Sequence, residues 1–129
     1  MGVTAALKRV YPGVKIVAVE PEDSAAMSGK GELKLHQIWG LGAGFIPGMM
    51  NMSLIDEIIT VKDSEAMDMS RRLMREEGLM VGVSSGANVF AALQVARKLG
   101  KNKTIVTILP DRGERYLSLW NPSGDRHLG

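Results

Sequence analysis

The sequence predicts an α/β fold, a parallel sheet flanked by helices. Short β-branched runs at Lys15-Ile-Val-Ala-Val19, Glu57-Ile-Ile-Thr-Val61 and Thr104-Ile-Val-Thr-Ile-Leu109 have strand length and are apolar enough for burial on both faces. Segments of helical length and period alternate with them, which implies right-handed parallel crossovers. Glycine-rich stretches fall where one kind of segment hands over to the next, the places where open sheets build ligand sites.

The first element is a helix near residues 3–10, with Val3, Ala6, Leu7 and Val10 on one face and Pro12-Gly13 as its stop. A strand at 15–19 follows, closed by Glu20-Pro-Glu-Asp, and residues 24–34 are polar and glycine-containing enough to predict a surface excursion. Residues 57–61 give a second core strand. Asp63 or Ser64 then caps a helix that reaches Glu77 and stops at Gly78, with Ala66, Met69, Leu73 and Met74 as its apolar stripe and Arg71, Arg72, Arg75 and Glu76 outside. The next helix opens at Ser84 or Ser85 and runs to Leu99, stopped by Gly100, and its Ala, Val, Phe and Leu content predicts a mostly buried element. Residues 104–109 read as the clearest strand, so Pro110-Asp-Arg-Gly-Glu-Arg115 falls at a carboxyl edge.

With 129 residues there is room for one core, or part of one. The formal charge of +2 is spread without a basic stripe and aromatics are scarce, which argues against nucleic acid. No cysteine is present, and His36 and His127 lie far apart without carboxylates at ligand spacing, so no metal site is expected. The apolar stretches fall short of a membrane span and no leader pattern opens the chain, so a soluble cytoplasmic protein is expected, with no membrane partner. Nine methionines, Met49, Met50 and Met52 among them, read as core filler.

Three segments could carry chemistry. Gly40, Gly42 and Gly44 alternate in Gly40-Leu-Gly-Ala-Gly-Phe-Ile-Pro47, letting a backbone approach a flat or charged ligand or simply make a tight turn. A dinucleotide fingerprint fails because Phe45 stands where the last glycine belongs. In Gly82-Val-Ser-Ser-Gly-Ala87 the serine hydroxyls sit at a helix start, where they can cap amides or face a ligand. A hydrolase nucleophile is not expected there, since the segment lacks a well-placed histidine. The third segment, Pro110 to Ser118, reads as a ligand edge or a charged turn.

In this order the segments resemble the pyridoxal-phosphate-dependent cysteine synthases (O-acetylserine sulfhydrylases), with cystathionine β-synthases close relatives. The matching runs are Lys15 to Pro21, His36 to Pro47, Glu77 to Ala87 and Leu109-Pro-Asp-Arg-Gly-Glu-Arg-Tyr-Leu-Ser118. The resemblance implies the large domain of a fold type II, tryptophan-synthase-β-like enzyme, with pyridoxal 5'-phosphate as cofactor, O-acetylserine and sulfide as substrates, and a homodimer as the assembly. It implies that Ser84 meets the cofactor's pyridine nitrogen, that the Gly40 backbone borders the cofactor linkage and the substrate amino group, and that Pro110 forms part of the wall near the ring. A serine at a helix N-terminus does not hold a proton on that nitrogen as an aspartate would, so the ring is expected to stay neutral. A neutral ring is a weaker electron sink, which favours loss of the β-leaving group. The serine acetyltransferase C-terminal tail can occupy the active-site cleft in this family, which makes a peptide-binding role conceivable.

The chain is expected to be the C-terminal portion of that domain, residues 1–129 forming one domain. The Schiff-base lysine, substrate loop and phosphate loop are expected in preceding sequence. Lys8, Lys15, Lys30, Lys34, Lys62, Lys98, Lys101 and Lys103 stand in polar or helix-surface contexts, so no catalytic residue is assigned. The alternatives are a non-catalytic binding or scaffold module and a cystathionine β-synthase-like fragment. Exposed sheet edges and apolar helix faces would favour self-association of the isolated chain.

Overall fold

The computed structural model describes residues 1–29 and 34–117. They fall into two compact units, Met1–Lys62 and the part from Asp63 onward. Lys30, Ser118 and the tail bearing His127 lie outside the described residues.

In the first unit, helix α1 spans Gly2–Val10, with Lys8 and Arg9 in its last turn where cations suit the helix C-terminus. None of its residues is buried, so the face expected to reach a core is open: Val3 and Val10 are both exposed. Strand β1, Val17–Pro21, pairs in parallel with β2, Glu57–Val61, in the register Val17 to Glu57 through Pro21 to Val61. β2 matches its predicted span. β1 begins two residues later than predicted and takes in Glu20 and Pro21, because Ile16 spends its carbonyl on the amides of Asp56 and Glu57 just ahead of the ladder. Proline fits only at such a margin, since it has no N–H to donate. Among the described residues the β1–β2 connection holds two short 3₁₀ turns, Glu22–Ser24 and Met52–Leu54. Ser24 and Ala25 are buried, against the surface excursion expected there.

Asp56 ties this unit together. Its carboxylate accepts from Lys8 Nζ at 2.7 Å, from the Ile16 amide at 2.8 Å and from Lys15 Nζ at 3.4 Å. The Lys8 hydrogen bond, then the Ile16 amide, lower its pKa from 3.8 to about 2. A depressed carboxylate contributes stability above its unfolded pKa and loses it as pH falls through the folded one. Acid unfolding followed by circular dichroism should therefore show a loss between about pH 4 and 2 that Asp56→Asn abolishes. An unchanged profile in the variant would remove Asp56 from this role.

In the second unit, α2 spans Asp63–Glu77 and α3 spans Val83–Leu99. Both stop at glycines in the left-handed region, Gly78 at φ +69 and Gly100 at φ +73, as predicted. α2 buries Ala66, Met69 and Leu73, together with Ser70, whose hydroxyl donates to the Val81 carbonyl at 2.8 Å. Met69, Leu73 and Val81 form the core, with Val89 and Phe90 of α3 packed against it. α3 is buried over its first turns and exposed at Arg97–Leu99, less covered than its composition predicts. An added Cβ at Gly86 would collide with the backbone carbonyl of Ala66, so this glycine sets how closely the two helices approach.

Residues 104–109 contradict the prediction of a paired strand. The segment joins no sheet among the described residues, and Val106 and Ile108 are 86% and 62% exposed. Its composition suits a strand, but a strand requires a neighbour, and none of the described residues supplies one. No helix among the described residues is long and apolar enough to cross a membrane.

Candidate functional site

Ser84 and Ser85 occupy the first turn of α3, and both are buried. Their hydroxyls turn to the Asp111 carboxylate: Ser84 Oγ donates to Asp111 Oδ1 at 3.0 Å and Ser85 Oγ to the same oxygen at 3.1 Å. The Tyr116 hydroxyl donates to Asp111 Oδ2 at 2.6 Å. Hydroxyl donors to an ionised acceptor make the stronger class of hydrogen bond. Three of them converge on one side chain.

Backbone contacts bring Asp111 there. The Gly82 amide donates to the Asp111 carbonyl at 3.1 Å, Val81 bridges Arg112 in antiparallel fashion, and the Gly113 amide donates to the Met80 carbonyl at 3.1 Å. A 3₁₀ turn at Gly113–Tyr116 then swings Tyr116 back toward the carboxylate. At Gly82 the φ of −77 is open to any residue, but an added Cβ would overlap the Asp111 carboxylate. Glycine is required there for space. A cavity of about 280 Å³ opens beside this cluster, lined by Pro110, Asp111, Arg112, Glu114 and Arg115.

Burial, then the Asp111 hydrogen bond, push the Tyr116 hydroxyl from 10.0 up to about 12. A raised pKa means that the protonated form is favoured by the fold below about pH 10, and that this contribution is lost as pH rises through about 12. Ultraviolet titration should show a tyrosinate step near pH 12 that moves down in Asp111→Asn. A step at the same pH in both proteins would contradict the contact.

In the first unit the alternate glycines Gly40, Gly42 and Gly44 all have positive φ, at +87, +64 and +76. They differ in surroundings. A Cβ on Gly42 would meet Pro21 Cγ at 2.7 Å and His36 Nε2 at 2.9 Å, whereas nothing lies within 4 Å of one on Gly40. The Gly42 carbonyl accepts from Ser24 Oγ at 3.0 Å and from the His36 Nε2–H at 3.2 Å. His36 Nδ1 is buried and makes no hydrogen bond. Gly42 is thus the packed glycine and Gly40 the open one, and Gly40 lines a cavity of about 230 Å³ with Glu20, Ser24 and Gly42. The Glu20 carboxylate, only 2% exposed, is satisfied by the amides of Met27 and Ser28, both at 2.9 Å, and by the Ser28 hydroxyl.

Of the two site residues expected from the sequence, Ser84 is buried in the second unit with its hydroxyl on Asp111, and Gly40 is exposed in the first. Sequence reasoning missed the supports: Asp111, Tyr116 and Gly82 behind Ser84, and Ser24 and His36 beneath the glycine loop. Their signal was faint, because Asp111 and Tyr116 stood inside a segment that reads equally well as a charged turn. Every described lysine is exposed or half-buried.

Residues 1–111 match the family model described as "Pyridoxal-phosphate dependent enzyme". The chain belongs to this family. Its fold, helices with a parallel sheet, is that of the fold type II members, and the family's cofactor is pyridoxal phosphate. Cysteine synthase from Staphylococcus aureus is 56% identical over 117 residues, a stretch covering 91% of this chain and 37% of that protein. The crystal structure of cysteine synthase from Entamoeba histolytica superposes with a TM-score of 0.87 at 47% identity, covering 91% of this chain and 35% of that one. That of O-ureido-L-serine synthase superposes at 0.89 with 41% identity, covering 98% and 40%. The chain thus spans little more than a third of the length of the curated relatives it matches.

Proposed function

We propose that this chain is the C-terminal part of the large domain of a cysteine synthase that forms cysteine from O-acetylserine and sulfide, working as a cytoplasmic homodimer. The observation that carries the reading is the 56% identity to the Staphylococcus aureus enzyme over 117 residues. The exposed apolar segment at 104–109 and the open face of α1 support a larger domain, since both are surfaces that a sheet neighbour or further helices would cover.

The residues present fit the cofactor. Bound pyridoxal phosphate supplies an electron sink for the substrate α-carbon. Ser84 offers a hydroxyl at a helix N-terminus to the ring nitrogen, a neutral group suited to a heteroaromatic acceptor or donor. Gly40, with open space where a side chain would stand, lets the backbone come up to a flat ligand and present its amide and carbonyl. Pro110 contributes a rigid apolar edge to the cavity beside Asp111. The serine acetyltransferase C-terminal peptide is a candidate partner of the assembled cleft.

The test assays the complete enzyme carrying this segment for cysteine formation from O-acetylserine and sulfide, with Ser84→Ala measured for cofactor retention. Cysteine formation together with weakened retention is expected. Absence of cysteine formation, with O-ureido-L-serine made from O-acetylserine when hydroxyurea replaces sulfide as the nucleophile, would favour a second reading suggested by the 0.89 superposition. The chain alone is expected to give no borohydride-fixed cofactor adduct, and one found on any of its lysines would overturn the assignment.

A further inference from the structure

We propose that Ser24 and His36 are positioning residues: together they clamp the Gly42 carbonyl and thereby hold the Gly40 backbone in the orientation that receives the substrate amino group. This rests on the reading that Gly40 borders that group. The glycine loop needs such support. Gly40, Gly42 and Gly44 all take positive φ, and glycine loses more conformational freedom on ordering than any other residue, so a loop built on three of them must be held by what it bonds to.

Two donors converge on one acceptor. Ser24 Oγ lies 3.0 Å and His36 Nε2 3.2 Å from the Gly42 carbonyl oxygen, which has a lone pair for each. A carbonyl only accepts, so the imidazole carries its hydrogen on Nε2. A hydrogen on Nδ1 instead would leave that buried nitrogen a donor with nothing to donate to, and would turn a lone pair of Nε2 against those of the oxygen.

The clamp is anchored to the sheet. Ser24 is 1% exposed and closes the 3₁₀ turn that follows β1, and the Pro21 ring lies so close to Gly42 that a Cβ there would meet Pro21 Cγ at 2.7 Å. Ahead of Gly40, the buried Ile38 offers its carbonyl to the Leu41 amide at 3.3 Å, closing a turn around Gly40. Gly40 thus stands exposed between two fixed points, with nothing within 4 Å of an added Cβ. Fixing its neighbours before the substrate arrives removes an ordering cost from binding. Ser24 and His36 act through the loop and not on the substrate itself.

The experiment uses the complete cofactor-loaded enzyme carrying this segment and compares the wild type with Ser24→Ala, His36→Leu and His36→Gln, the last of which keeps an N–H donor near the place of Nε2. Two quantities are read: amide hydrogen exchange of the peptide covering residues 38–47, and KM and kcat for O-acetylserine. Ser24→Ala and His36→Leu should each speed exchange in the loop and raise KM roughly 2- to 10-fold, the worth of one hydrogen bond, with kcat and cofactor content little changed. His36→Gln should restore most of both. A lowered thermal midpoint with an unmoved KM would mean a role in folding alone and overturns the inference, as does loop exchange that is unchanged in both variants. If the variants do not fold, nitrogen-15 labelling of histidine in the wild type decides: a His36 ring with its hydrogen on Nδ1 overturns the clamp, and one with it on Nε2 supports it. Gly40→Ala separates the two readings. A KM that rises there and in neither clamp variant sinks this inference alone, whereas a KM that Gly40→Ala leaves unmoved takes Gly40 away from the substrate, and the inference fails with it.

Discussion

Gly86→Ala is expected to be among the most damaging single-methyl substitutions in the second unit. Gly86 has ordinary helical geometry, and alanine is the better helix former by about 1 kcal/mol, so propensity alone predicts a gain. Space decides otherwise. The new methyl would overlap the Ala66 carbonyl and come within 2.8 Å of the Ser70 amide, and both belong to the α2 backbone, which cannot swing aside like the end of a side chain. Relief requires α2 and α3 to separate, which opens the Met69, Leu73 and Val81 core and strains the buried Ser70 to Val81 hydrogen bond. Overpacking of this kind costs about 1–3 kcal/mol and at times more. A net loss of about 2 kcal/mol lowers the thermal midpoint by roughly 8–16 °C in a unit of this size. Gly78→Ala is the control: it has open space at φ +69 and costs only the left-handed conformation, about 1 kcal/mol. Equal midpoints for the two variants would mean that the helices are not in close contact at Gly86.

What could be read from the sequence follows how local each signal is. β2 was legible to the residue and α2 at its C-terminal end, while α2 opens at Asp63 itself, where Asp63 or Ser64 was expected as the cap before it; a β-branched run, a 3.6-residue stripe and a stop glycine are encoded within a few positions. Residues 104–109 show the opposite case. Thr104-Ile-Val-Thr-Ile-Leu109 has the right side chains, yet strand formation is a relation between two segments, and propensity does not reveal whether the second one is at hand. Ser24 was expected at the surface from its polar neighbours and is buried, because its hydroxyl meets the Gly42 carbonyl eighteen residues on.

The candidate site divides along the same line. Ser84 and Gly40 stood out only through the family resemblance, because serine and glycine at a segment boundary serve equally well as a cap and a tight turn. Asp111 did not, since an aspartate after a strand-like run is usually a solvated turn residue. Its role depends on hydroxyls 26 and 27 residues upstream, and on the missing side chain at Gly82, none of which a local pattern records. Even so, Gly82 carries a clue in hindsight: its backbone angles suit any residue, so the demand for glycine had to be steric.

That steric demand yields the second large effect. Gly82→Ala should expel the Asp111 carboxylate from its place, because the new methyl and the carboxylate cannot occupy the same volume. The Ser84, Ser85 and Tyr116 hydroxyls then lose their common acceptor while remaining largely buried. A hydrogen bond to a charged group contributes about 1.5–3 kcal/mol, and water entering beside the turn restores part of it, so a loss of about 2–4 kcal/mol is expected. Asp111→Ala removes the same three bonds by another route. If Gly82 acts only by leaving room for Asp111, the double variant should be scarcely less stable than Asp111→Ala alone, giving a coupling energy above about 1 kcal/mol in a double-mutant cycle from urea unfolding. The Tyr116 titration supplies a second readout, since its step should fall from about 12 in Gly82→Ala as it does when the carboxylate is removed. Strictly additive losses would mean that the methyl at position 82 disturbs something other than Asp111.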